Sequence, residues 1–507
     1  MKAAGLAALV ALAALAGPAA AAAEPAYFAA LGRAYDAVLD ARFDDVEPAL
    51  ARACGPAPAE TCDLIRATAL WWRIQLDPFD RSRDAEFQRR VDAVIAATER
   101  WAAREPKSAE AFFFLGASYG ARVQWRVLRG ERLAAARDGK RIKESLERAL
   151  ALDPSLQDAY FGIGLYRYYA DLAPSLLKFF RWLLLLPGGD RARGLREMER
   201  ARESGTLLRG ETDYQLHLVY IWYENRIDDA LGLLGELRKR YPHNPLFLQA
   251  AAEIHEVYRH DRPASLQVWQ TMLTLARNGR LALAQQSEAR ARVGIAESLD
   301  ALFESDEAIE QLRQVTEAKP AEPYGITARA WLQLGAANDR MGFREAAVQA
   351  YRAAIAAAPP GDPERVKPRA NDALRHPPDP GAAEAYRLSL EGWRSLQRGG
   401  EVARAAEALA RSEALKPSDP VLRYRLGRLH LAQHRNDQAL AEFERVVAAR
   451  PAAPPTVLAA SCLEAARLYE LRGERARAID CYRRAAAVPG ADADTRRAAT
   501  QSLARLQ

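Results

Sequence analysis

Few residues in this chain have the spacing that chemistry needs. His430 and His434 stand four apart, the separation that puts two imidazoles on one helical face to hold zinc. Leu431, Ala432 and Gln433 lie between them, so the Glu that would act as base is missing and a structural role is expected. His255 and His260 are five apart and share a helical face poorly. Gly162-Ile163-Gly164 is a fragment of a nucleotide-binding loop, but no strand precedes it. No Gly-Lys-Ser/Thr phosphate loop occurs. These readings give no catalytic residue, no metal site and no cofactor. What remains is binding, and the elements that would position a binding surface recur along the chain.

Trp331, Leu334, Gly335, Asn338, Ala347, Tyr351, Ala354 and Pro359 form one clear unit. Small residues at two places let a pair of antiparallel helices approach, an aromatic fills the gap, and the closing Pro ends the second helix. Leu426, Gly427, Ala439, Phe443 and Pro451 repeat that skeleton. So do Ala466, Tyr469, Ala478, Tyr482 and Ala485, and Ala296, Ala308, Leu312 and Pro320. Leu218, Ala230, Leu234, Leu237 and Pro242 make a more divergent copy. Because the copies keep phase, the chain resembles the tetratricopeptide-repeat superfamily over nearly all of residues 24–507. The resemblance implies an all-α, right-handed solenoid of antiparallel helix hairpins, each burying its core only against its neighbours.

The same resemblance implies where a ligand would lie. In such arrays the first helices line a concave groove. Carried over unit by unit, its positions hold Phe113, Phe161, Tyr168, Tyr169, Trp222 and Tyr223 in the N-terminal part. Further along they hold Arg290, Arg329, Asp339, Arg340, Tyr424 and Arg428. Aromatic rings suit an apolar peptide or a glycan, and scattered Arg suits the carboxylates of a peptide. The alternative for the aromatics is packing beneath two interruptions of the repeat.

Those interruptions fall near 121–138 and 168–190, inside an N-terminal array spanning 24–358. The second contains the apolar run 175–186 between Pro174 and Pro187, with Phe179 and Trp182 in it. Twelve residues are too few to cross a bilayer. Three roles are open to this run: a lid over the solenoid, a docking site, or contact with a membrane surface. Residues 359–381 crowd seven Pro and two Gly and are expected to be a linker without helical period. A C-terminal array with a capping helix follows at 382–507.

Residues 1–23 carry Lys2, an apolar run and Ala21-Ala22-Ala23, the pattern of a secretory signal peptide. No Cys follows the run until Cys54, which argues against a lipoprotein. With its Ala- and Arg-rich composition the protein is expected in a bacterial periplasm. There a disulfide between Cys54 and Cys62 would staple the turn between two helices. Cys462 and Cys481, on opposite helices of one hairpin, stand either bridged or as thiols. The formal charge of +6 includes Lys2 and is spread over 138 charged residues, 72 basic and 66 acidic, which does not imply a nucleic-acid partner. The expected function is therefore a non-catalytic scaffold of the cell envelope that holds a protein or peptide in its groove. A carrier of an envelope lipid or glycan is the alternative.

Overall fold

A computed structural model describes residues 27–172, 188–398 and 401–506. Residues 1–23, where a signal peptide is expected, and the apolar run with Phe179 and Trp182 lie outside these residues. Among the described residues every regular element is a helix and there is no strand. The fold is an all-α solenoid of tetratricopeptide type. Many helices start where a side chain can take the free amides of the first turn. Ser108 caps Ala109–Leu128, and Asp190 caps Arg191–Ser204. Asp379 and Asp419 each stand just before a Pro at the first helical position, where a missing amide costs nothing.

The chain divides into two compact units, one of Met1–Ile74 with Ser82–Gln215, the other of Gln75–Arg81 with Leu216–Gln507. The expected boundary at the Pro-rich segment 359–381 is therefore not where the fold divides. That segment contains the helix Val366–Arg375. Val366 and Ala370 are buried there against Ala328, Leu332, Tyr351 and Ala354. Two small apolar residues four apart are enough to dock one short helix, although the surrounding Pro residues hide the period.

In the first unit the helices Ala109–Leu128 and Arg132–Leu152 pair along their length. The interruption expected at 121–138 is thus made of extra turns on both helices. Gly116 meets Leu146, thirty residues later, where the regular hairpins have sixteen between Gly335 and Tyr351. This unit also buries Glu211, which accepts from Tyr35 Oη at 2.9 Å, Trp72 Nε1 at 3.2 Å, and the amides of Gln124 and Gln215 at 3.2 and 3.1 Å. Burial raises its pKa and these four donors work against the rise. Cys54 and Cys62 are bridged across the turn, with Cα atoms 6.1 Å apart.

In the second unit Ile326–Arg340 and Arg344–Ala357 show the regular hairpin. A Cβ on Gly335 would stand 2.4 Å from the Tyr351 ring, and one on Gly427 would stand 2.5 Å from Phe443. Only glycine lets these helices approach so closely. Cys462 and Cys481 are free thiols, the first buried, so the second bridge is not formed. The final helix, Ala493–Leu506, buries Ala499 and leaves much of its surface exposed.

Candidate functional site

The second unit carries a face built by the first helices of successive hairpins. Gln286 and Arg290 lie four apart on Ala284–Ala301 and so point the same way. Both donate to the carbonyl oxygen of Leu76, each at 3.3 Å. The next residue, Asp77, accepts the backbone amide of Tyr324 at 2.7 Å. Asp77 is buried, and burial raises its pKa against the pull of that amide and of Arg290. Arg290 also donates to Gln249 at 2.8 Å. The end of the helix Ala59–Leu76, more than two hundred residues away in sequence, is therefore held by Gln286 and by Arg290, which the repeat pattern assigns to the groove.

Arg329 continues this face. Its guanidinium grips Glu297 with two bonds of 2.9 and 2.6 Å and reaches Glu364 at 3.0 Å. Burial disfavours its charge, but the two carboxylates outweigh that and raise its pKa. Arg340 pairs with Asp300 at 3.0 Å. Arg428 approaches Glu464 at 3.4 Å, and Tyr424 lies between the rings of Trp393 and Phe443 at 5.9 and 6.0 Å. These Arg residues are committed to neighbouring helices, so they fix the face as much as they offer it.

The aromatic positions separate sharply. Trp222 and Tyr223 are 55% and 41% exposed, in the π-helical turn Tyr220–Glu224. Phe113, Phe161 and Tyr168 are buried, which corrects their expected place in an open groove, and Tyr169 is half-buried. Phe113 packs with Phe28 and Phe114, because the helix Phe28–Leu39 supplies an aromatic partner there. Tyr168 lies edge-on to Tyr169, with Arg191 of the following helix over its ring. Of the aromatic groove behind the lipid or glycan alternative, Trp222 and Tyr223 are the two exposed rings.

Val257 and Tyr258, not singled out from the sequence, are 55% and 39% exposed. They occupy the place in their hairpin that Trp222 and Tyr223 occupy in the one before. Each pair is followed by a residue with positive φ, Asn225 (φ 52) and His260 (φ 53). Continuing the repeat in phase across these two hairpins is the signal that finds them.

The candidate chemical motifs dissolve in three dimensions. His434 has φ 58 and follows the helix Pro420–Ala432 that carries His430. Gly116-Ala117-Ser118-Tyr119-Gly120 fits the Gly-x-Ser-x-Gly pattern of a nucleophile elbow. It lies inside the helix Ala109–Leu128, and the buried Ser118 hydroxyl donates to Phe114 O at 2.8 Å. Among the described residues no group of three or more His, Cys, Asp or Glu is placed to hold a metal ion. Among them, too, no helix is long and apolar enough to cross a membrane.

Comparison with known proteins agrees with the repeat. Two tetratricopeptide-repeat family models match, one over residues 397–460 and one over 328–360. No curated protein sequence matches the chain. Among solved structures it is similar to yeast Tom70, at 12% identity over 89% of this chain and 90% of that one, with a TM-score of 0.30. It is also similar to the APC/C hetero-tetramer Cut9-Hcn1, at 14% identity over 93% and 88%, with a TM-score of 0.26. A third is the TPR2AB-domain:pHSP90-complex of yeast Sti1, at 14% identity over 59% and 93%, with a TM-score of 0.20. None of these three likenesses bears on function. The family-model matches fall on hairpins that repeat the same small-residue and aromatic packing as their neighbours, and such repeats build protein-interaction scaffolds. Residues 328–360 and 397–460 are tetratricopeptide repeats, set in an all-α solenoid of the same type.

Proposed function

We propose that this protein is an exported, non-catalytic scaffold of the bacterial cell envelope, and that its second unit holds a partner protein or peptide in its groove. The supporting observation is the hold on Leu76 and Asp77. Gln286 and Arg290 take a backbone carbonyl, and a backbone amide takes the following carboxylate. Here they take the carbonyl that ends the helix Ala59–Leu76 and the carboxylate just after it; the same donors suit the carbonyls and carboxylates of a peptide. The exposed Trp222, Tyr223, Val257 and Tyr258 add apolar contact on neighbouring hairpins of the same unit.

The test is affinity capture from an envelope extract, comparing the mature protein with Arg290→Ala and with the double variant Trp222→Ala, Tyr223→Ala. The expected result is a partner held by the parent protein and lost with either variant. An identical set of captured proteins from all three would refute the reading.

A further inference from the structure

We propose that the extended hairpin of the first unit forms a binding site for a small ligand bearing two or more phosphate-type oxyanions. A cavity of about 530 Å³ lies between the two long helices. Its walls begin beyond the Gly116–Leu146 contact, at Tyr119 on one helix and Glu144 on the other. The site is therefore built by the added turns, which the repeat does not need for its own packing. The volume falls in the range of sites that take small molecules.

The charge on its walls is unbalanced. Arg122, Arg126, Arg137, Lys140 and Arg141 line it, against Asp138 and Glu144. Asp138 is only 3% exposed and organises two of these cations. It accepts Arg122 Nε and Nη2 at 2.9 and 2.8 Å and Arg126 Nη1 at 2.7 Å. One carboxylate thus fixes two guanidinium groups, and with Asp92 and Glu131 beside them the positive excess lies on the facing helix. Arg122 also reaches Asp92 at 2.6 Å, and the Tyr119 ring lies under it at 5.3 Å. Glu131 stands 3.7 Å from Arg126.

On the facing helix, Arg137 makes no ion pair among the described residues. Lys140 and Arg141 approach only Glu144, loosely, at 3.9 and 3.7 Å. Arginine cannot relieve such crowding by losing a proton. A multiply charged oxyanion would relieve it, and the planar forks of Arg match phosphate oxygens two at a time. The shared chemistry is a clustered phosphate, either free in solution or in the head group of an anionic lipid.

The experiment uses the full chain with inorganic pyrophosphate in isothermal titration at low salt, and in parallel co-sedimentation with phosphatidylglycerol or phosphatidylcholine vesicles. Arg137 and Arg141 are exposed, so Arg137→Ala, Arg141→Ala leaves the fold intact, which circular dichroism checks. The double variant is expected to weaken binding at least about tenfold, and Glu144→Gln to tighten it a few-fold, because it removes the opposing charge. Pyrophosphate binding with that pattern supports a free phosphate ligand. Sedimentation with phosphatidylglycerol alone, lost in the double variant, supports a lipid head group. No binding in either arm, equal binding by all variants, or weaker binding by Glu144→Gln would overturn the proposal.

Discussion

Replacing Gly335 by Ala is the sharpest test of how these hairpins are held together. The added Cβ would lie 2.4 Å from Tyr351 Cε1 and 2.5 Å from Cδ1, far inside contact distance. The ring is 3% exposed, so it is enclosed by its neighbours and cannot swing out to solvent freely. Its hydroxyl is also tied, donating to Asp339 at 3.0 Å, and Asp339 is held by Arg344 at 2.7 Å. Overpacking of this kind costs roughly 1–3 kcal/mol. A strained or broken hydroxyl–carboxylate bond adds about 1 kcal/mol. Alanine's better helix propensity offsets about 1 kcal/mol. The net expectation is a loss of about 2 kcal/mol. Gly232 is the control, because it is exposed in the helix Ile227–Arg240 and nothing lies within 4 Å of a Cβ there. Gly232→Ala should stabilise its helix by up to about 1 kcal/mol, the opposite sign. Repeat arrays open locally, so hydrogen exchange read by mass spectrometry is the suitable assay. Exchange should quicken in Ile326–Arg340 and Arg344–Ala357 for Gly335→Ala, and slow in Ile227–Arg240 for Gly232→Ala. If Gly335→Ala leaves exchange unchanged or slows it, the close-approach account of the hairpin fails.

Two further outcomes follow from buried titratable groups. The pKa of Glu211 is raised by burial, so the folded state holds its proton more tightly than the unfolded chain does. Its contribution is fully present below the unfolded value of about 4.3 and is lost as pH rises through the folded value. Denaturant titrations at pH 4 and pH 8 should therefore show the stability difference moving in favour of Glu211→Gln at the higher pH, and a pH-independent difference would contradict this. Cys462 is pushed up to about 11, chiefly by burial and next by the nearby Cys481. At pH 8 only about a thousandth of it is thiolate, so iodoacetamide should label it far more slowly in the native protein than in urea; equal rates would show the thiol is accessible.

Much of the hairpin architecture is legible residue by residue. Gly335 with Tyr351, and Gly427 with Phe443, state in one dimension which helix must touch which, because the contact is local and repeats in phase. The groove was legible only in part. Trp222 and Tyr223 are exposed where the pattern places them, while Phe113, Phe161 and Tyr168 are not. A position within a repeat says which way a side chain points. It does not say whether another element covers it, and Phe28 covers Phe113 from outside the pattern. The same limit hid the helix Val366–Arg375, whose two buried anchors give no period among the prolines.

The sequence by itself determined the helices, their pairing within regular hairpins and the type of repeat, because those depend on residues no more than a hairpin apart. Tertiary structure alone decided what the polar face of the second unit holds. Gln286 and Arg290 meet Leu76 across 210 and 214 residues, and Tyr324 meets Asp77 across 247. It also turned the extra residues near 121–138 into two longer helices with a basic cavity between them. Bonds over such separations leave no periodic trace, since neither partner repeats and each is chemically ordinary until the chain brings the other to it.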